Sequence, residues 1–192
     1  MSERTLTSHL IYDGRLIRLR VDEVELPGGR RTTREVVEAR GAVGIVALDD
    51  EGRIVLVRQY RRPAERELWE IPAGTLEPGE RPADCARREL AEETGFTARE
   101  IAPLAAFYTS PGFCNEWMYL FLARGLSRGR QAQEDDEAIR VALVPLTQAL
   151  AMIRTGDICD AKTLAGLLLA AAPPQDGGHS LRSSGSGRTG GG

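Results

Sequence analysis

The sequence predicts an α/β fold, a mixed β-sheet flanked by helices and preceded by an antiparallel β extension. Three observations carry this. The β-branched runs Ala42 to Leu48 and Arg53 to Arg58 read as strands of a buried sheet. A helical pattern over Pro82 to Thr94 stands between strand-like segments. Two more helical patterns follow the last strand, and this order of elements suits a sheet with helices packed on it.

Taken in order, Leu10 to Tyr12 and Leu16 to Leu26 read as strands, the second alternating at Val21, Val24 and Leu26. Pro27-Gly28-Gly29-Arg30 is a turn, and Thr32 to Glu38 returns as a third strand. Residues 1–40 thus form an N-terminal β region with little apolar surface of its own, which calls for a partner. Asp49-Asp50-Glu51-Gly52 joins the two β-branched runs as a hairpin. Further strands are expected at Glu67 to Ile71, Ile101 to Tyr108, Trp117 to Ala123 and Ile139 to Pro145. Pro82 suits the first helical position and Gly95 the residue past the helix end, with Ala83, Ala86 and Leu90 as the apolar stripe. Thr147 is expected to cap a helix to about Arg154, and Asp160 another to about Ala172. The main domain spans 41–172, and the Gly/Ser-rich residues 173–192 read as a disordered tail.

Composition narrows the chemistry. The 192 residues are 42% hydrophobic and 28% charged, ordinary for a soluble globular chain. A net charge of -3 gives no general attraction to nucleic acid. Met1 to Arg20 is polar and no run is long enough to span a bilayer, so a cytoplasmic location without membrane association is expected. Three scattered cysteines form neither a disulfide framework nor a zinc pattern. The two histidines, His9 and His179, lie near the ends, which leaves carboxylates to do the work.

Carboxylates are concentrated on the helix over 82–94. Glu89 and Glu93 are four apart and Glu92 is three on from Glu89, so all three share one side. They also stand towards the negative end of the helix dipole. Acids placed against both preferences imply a cation that offsets their repulsion. A hard divalent ion such as Mg2+ accepts carboxylate and carbonyl oxygens and shares substrate phosphates.

The spacing G-x5-E-x7-R-E-U-x-E-E-x-G-U, with U apolar, is met at every fixed position by Gly74, Glu80, Arg88, Glu89, Leu90, Glu92, Glu93, Gly95 and Phe96. In this the chain resembles the Nudix hydrolases. The resemblance implies a Nudix-type α/β/α sandwich that holds divalent metal, Mg2+ or alternatively Mn2+, while water attacks a diphosphate. It also implies the Ala73 carbonyl, Glu89 and Glu93 as metal ligands, with Glu92 sharing a metal or the water, and Glu92 and Glu93 as catalytic acids. Arg88 reads as a clamp on Glu80 or Glu92, and Glu80 stays open between ligand and structural partner.

Outside that motif the chain resembles the ADP-ribose pyrophosphatase branch. Pro111 lies sixteen residues beyond Gly95 within Ser110 to Glu116, R-Q-Y-R occupies 58–61, and D-A-K-T occupies 160–163. The branch implies cleavage of ADP-ribose to AMP and ribose 5-phosphate. Another nucleotide sugar such as GDP-mannose, a dinucleoside polyphosphate, or a non-catalytic nucleotide-sensing module are the alternatives. By the same resemblance Arg61 contacts phosphate or ribose, Glu116 accepts from ribose hydroxyls, and Arg34 and Glu35 reach adenine across a homodimer. An aromatic residue often stands where this chain has Arg34, so stacking falls to the Arg34 plane or to Tyr12. In the acidic run 134–137, Glu137 matches a metal ligand and Asp135 a general base, with Glu134 as the alternative base.

Overall fold

The computed structural model describes residues 2–129 and 139–172. Three strands open the chain, β1 (Arg4–Asp13), β2 (Ile17–Glu25) and β3 (Arg31–Ala39), in an antiparallel sheet of order β1-β2-β3. β1 begins earlier than its apolar residues predict. Its polar half is held by cross-strand pairs, Arg4 with Glu25 at 2.9 Å and Ser8 donating to Asp22 at 2.7 Å. The strand is exposed along nearly its whole length, with Leu10, Ile11 and Tyr12 all more than half exposed.

β4 (Ala42–Ala47) and β5 (Arg53–Arg61) flank the expected tight turn, where Asp49 Oδ1 accepts from Glu51 N at 3.0 Å and Arg53 N at 2.7 Å. The two arms do not pair as one hairpin. Beyond a single bridge from Leu48 to Ile54 they enter different sheets. The other strands are β6 (Arg66–Glu70), β7 (Ala73–Thr75), β8 (Phe96–Tyr108), β9 (Trp117–Arg128) and β10 (Arg140–Pro145). β4 lies in a mixed sheet of order β7-β4-β9-β8, parallel to β9, and β5 in an antiparallel sheet of order β10-β5-β6. Every residue of β4 is buried, so its pattern names no preferred partner.

Helices α1 (Pro82–Thr94), α2 (Leu146–Thr155) and α3 (Ala161–Ala171) complete the described chain. Alternation along β4 divides the core between them. Val43, Ile45 and Ala47 pack with Cys85, Ala86 and Leu90 of α1, while Ala42 and Val46 share a cluster with Ile71, Leu120 and Leu167 of α3. The mixed sheet is therefore sandwiched between α1 and α3, as the sequence predicts. Two details differ. Ala83 is exposed, and Cys85 takes its place on the buried face of α1. Thr147 lies inside α2, whose N-cap is Pro145, because Pro145 ends β10 and leaves the helix to start at Leu146. Asp160 does cap α3, accepting from Thr163 N. Among the described residues no helix is long and apolar enough to cross a membrane.

Candidate active site

The ends of α1 are set by the residues the sequence singles out. Pro82 opens the helix and Gly95 closes it at φ 71, donating from its N to Ala91 O at 2.9 Å. β8 starts at the next residue, so the last turn of α1 is tied to the mixed sheet. On the other side α1 lies against β7, and two contacts join them. Glu93 is 6% exposed, and its Oε2 accepts from Ala73 N at 3.0 Å. Glu89 covers Gly74 so closely that a Cβ there would stand 1.9 Å from Glu89 Cδ. The glycine that opens the motif leaves room for this approach of a carboxylate to the backbone.

Arg88 offsets the crowding of acids. Its Nε and Nη2 donate to the two Glu80 oxygens at 2.9 and 3.0 Å, and its Nη1 donates to Glu89 at 2.7 Å and Glu92 at 3.0 Å. One guanidinium thus reaches three carboxylates, more than the single clamp the sequence predicts. Arg88 is the chief cause that holds the Glu80 carboxyl down at about 2, helped by Glu77 N donating to it at 2.9 Å. Burial first, then the neighbouring Glu80 charge, pushes the Cys85 thiol up to about 12, which leaves it an inert core residue.

Beside β7 is a cavity of roughly 420 Å³ lined by Arg61, Ala73, Gly74, Ser110, Glu116 and Lys162, among others. The structure therefore brings Ala73, Arg61 and Glu116 to one hollow, with Glu89 and Glu93 held against its β7 wall. Arg34 and Glu35 line a separate cavity of roughly 180 Å³ together with Pro111 to Asn115, and Arg34 pairs with Glu3 at 2.5 Å. The segment Ser110 to Glu116 borders both cavities. It is fastened to β3 by Val37 N donating to Phe113 O at 2.7 Å and Ala39 N donating to Asn115 Oδ1 at 2.9 Å. Tyr12 is exposed on β1. Glu134, Asp135 and Glu137 lie outside the described residues.

The D-A-K-T motif is a fastener. Asp160 Oδ2 accepts from Thr163 N at 3.0 Å and Thr163 Oγ1 at 2.5 Å, and Thr163 Oγ1 in turn accepts from Ile71 N at 3.0 Å. Lys162 pairs with Asp160 at 3.0 Å and with Glu70. No local sequence signal marks Glu70, which is 1% exposed and gripped by Arg61 with two bonds of 2.8 Å. Burial pushes its carboxyl up, yet Arg61 and Lys162 outweigh this and keep it below the ordinary value.

The donor set suits a hard divalent ion in kind, being carboxylates gathered against a backbone edge, and Glu89 and Glu92 are paired with the cationic Arg88. In this conformation Glu89 and Glu92 face Arg88, and no three acids among the described residues converge as a metal-ligating group.

Helix, glycine edge and acids match a known family. Residues 38–167 fit the NUDIX domain and residues 3–37 the nucleoside diphosphate sugar hydrolase N-terminal domain, so the chain belongs to the NUDIX family and is a Nudix hydrolase. It is 46% identical to an ADP-ribose pyrophosphatase of Bacillus subtilis, over 85% of this chain and 89% of that protein. It is also 45% identical to a methanol dehydrogenase activator of Bacillus methanolicus, over 84% of this chain and 89% of that one. A crystal structure of an ADP compounds hydrolase shares the fold with a TM-score of 0.81 at 24% identity, covering 88% of this chain and 92% of that one. Nudix hydrolases generally use divalent metals.

Proposed function

We propose that the chain hydrolyses the diphosphate of ADP-ribose to AMP and ribose 5-phosphate, with Mg2+, or alternatively Mn2+, bound by the acids of α1. The observation that carries this reading is the packing of Glu89 and Glu93 onto Ala73–Gly74, at the wall of a cavity that also presents Arg61 and Glu116. Likeness to an ADP-ribose pyrophosphatase supports the choice of substrate.

Glu89, Glu92, Glu93 and the Ala73 carbonyl would hold the metal, and Glu137 would add to them. A divalent ion there would supply Lewis-acid activation of the attacking water and charge neutralisation at the departing phosphate. Arg61 docks a phosphate with its guanidinium fork, and Glu116 accepts from ribose hydroxyls. Asp135, or else Glu134, takes the proton from the attacking water. In a homodimer formed through the N-terminal sheet, Arg34 and Glu35 reach the adenine. The exposed apolar residues of β1 supply that interface, with 1–40 as the dimer-forming region and 41–172 as the hydrolase domain.

A panel of ADP-ribose, GDP-mannose and a dinucleoside polyphosphate, assayed with Mg2+ for released monophosphate, tests the reading. ADP-ribose should show the highest kcat/KM. A higher value for another member transfers the assignment to it, and measurable binding without cleavage of any turns it to a sensing module.

A further inference from the structure

Glu70 ends β6 with 1% of its surface exposed, a depth at which an unpaired carboxylate is not tolerated. Both oxygens are engaged. Oε1 accepts from Arg61 Nε and Oε2 from Arg61 Nη2, each at 2.8 Å, and Oε2 also accepts from Lys162 Nζ. These cations come from distant places in the chain, Arg61 from the end of β5 and Lys162 from the first turn of α3. Both line the main cavity, and Glu70 stands behind them. Asp160 pairs with Lys162 at 3.0 Å and caps α3, so two acids balance two bases.

The fork on Glu70 uses Arg61 Nε and Nη2 and leaves Nη1 outside that pair. A guanidinium held at two points has surrendered its rotamer freedom before any ligand arrives, so an anion meets a cation already oriented. We propose that Glu70 is a positioning residue, which fixes Arg61 and Lys162 at the wall of the Ala73–Glu116 cavity for the phosphates of the substrate. This rests on the diphosphate-hydrolase reading above. The carboxylate acts through the two cations and touches neither substrate nor water.

Glu70→Gln keeps the shape of the side chain but offers an amide NH2 where a cation expects an oxygen. KM for ADP-ribose should rise about tenfold, which is about 1.4 kcal/mol of binding, with kcat within about threefold. In an Arg61→Ala background the same substitution should change KM by no more than about threefold, since only Lys162 is then left for Glu70 to orient. Equal effects in both backgrounds would overturn the proposal, as would an unchanged KM in Glu70→Gln. Should the Gln variant not fold, Glu70→Asp preserves the charge on a shorter arm, and its KM should rise by about threefold at an unchanged kcat. An Asp variant that matches the wild type would also overturn the proposal. Wild-type protein inert towards every nucleoside diphosphate sugar overturns this proposal and the proposed function together, whereas an active wild type with an insensitive KM overturns the positioning role alone.

Discussion

Gly74→Ala separates the two duties of the α1–β7 contact. A Cβ at position 74 would stand 1.9 Å from Glu89 Cδ and Oε1, and 2.4 Å from Oε2. Carbon atoms rest at about 3.5–4.0 Å, so the carboxylate must retreat by roughly 1.5–2 Å. The intruded atoms are the far end of a flexible side chain, and the retreat leaves the backbone in place. Its energetic cost is mainly the Arg88–Glu89 pair at 2.7 Å, part-buried on both sides, for which about 1 kcal/mol is a fair scale. That lowers Tm by roughly 2–4 °C for a chain of this size. Turnover should suffer far more, since a misplacement of about 1 Å at a reacting centre costs on the order of a hundredfold. Differential scanning fluorimetry beside a kcat measurement on ADP-ribose reads both. Full turnover in Gly74→Ala would refute the idea that the gap over Gly74 places Glu89 for chemistry, and loss of the fold would show that the contact is structural.

Two further outcomes follow from the network around this contact. Thr163→Ala removes a fully buried hydroxyl and strands Ile71 N, so unfolding should become easier by about 1–3 kcal/mol in urea titrations; an unchanged midpoint would contradict the fastener role. The carboxyl of Glu80 falls from 4.5 to about 2 on folding, so the unfolded chain binds more protons between those values. Its stabilising contribution is complete above about pH 4.5 and is lost as pH falls towards 2. Glu80→Gln should therefore lower the urea midpoint at pH 7 and shrink the difference between pH 7 and pH 3, and an identical difference in both proteins would show that Arg88 does not hold Glu80 charged.

The limits of α1 were legible because Pro82 and Gly95 are local signals, each of which fixes a backbone angle without help from the rest of the fold. The turn at 49–52 was legible for the same reason. Which strands then pair was not. β4 and β5 are apolar on both faces, and the partners that separate them, β9 and β6, are chosen by packing across the sheet. The clustered acids of α1 were visible through their spacing, as were Arg61 and Glu116 through resemblance. Glu70 was hidden because a lone acid after Leu68-Trp69 reads as a solvated residue. Its burial depends on Arg61 across the β5–β6 ladder and on Lys162, 92 residues further on. Such a network has no local pattern to betray it.

Most direct is the release of AMP from ADP-ribose over a Mg2+ titration, with wild type and Glu93→Gln side by side. Cleavage should climb to saturation with Mg2+ in the wild type and drop at least about a hundredfold in the variant, while the variant melts near the wild-type temperature. ADP-ribose left intact at saturating Mg2+, or a Glu93→Gln protein that cleaves at the wild-type rate, would contradict a hydrolase built on the acids of α1.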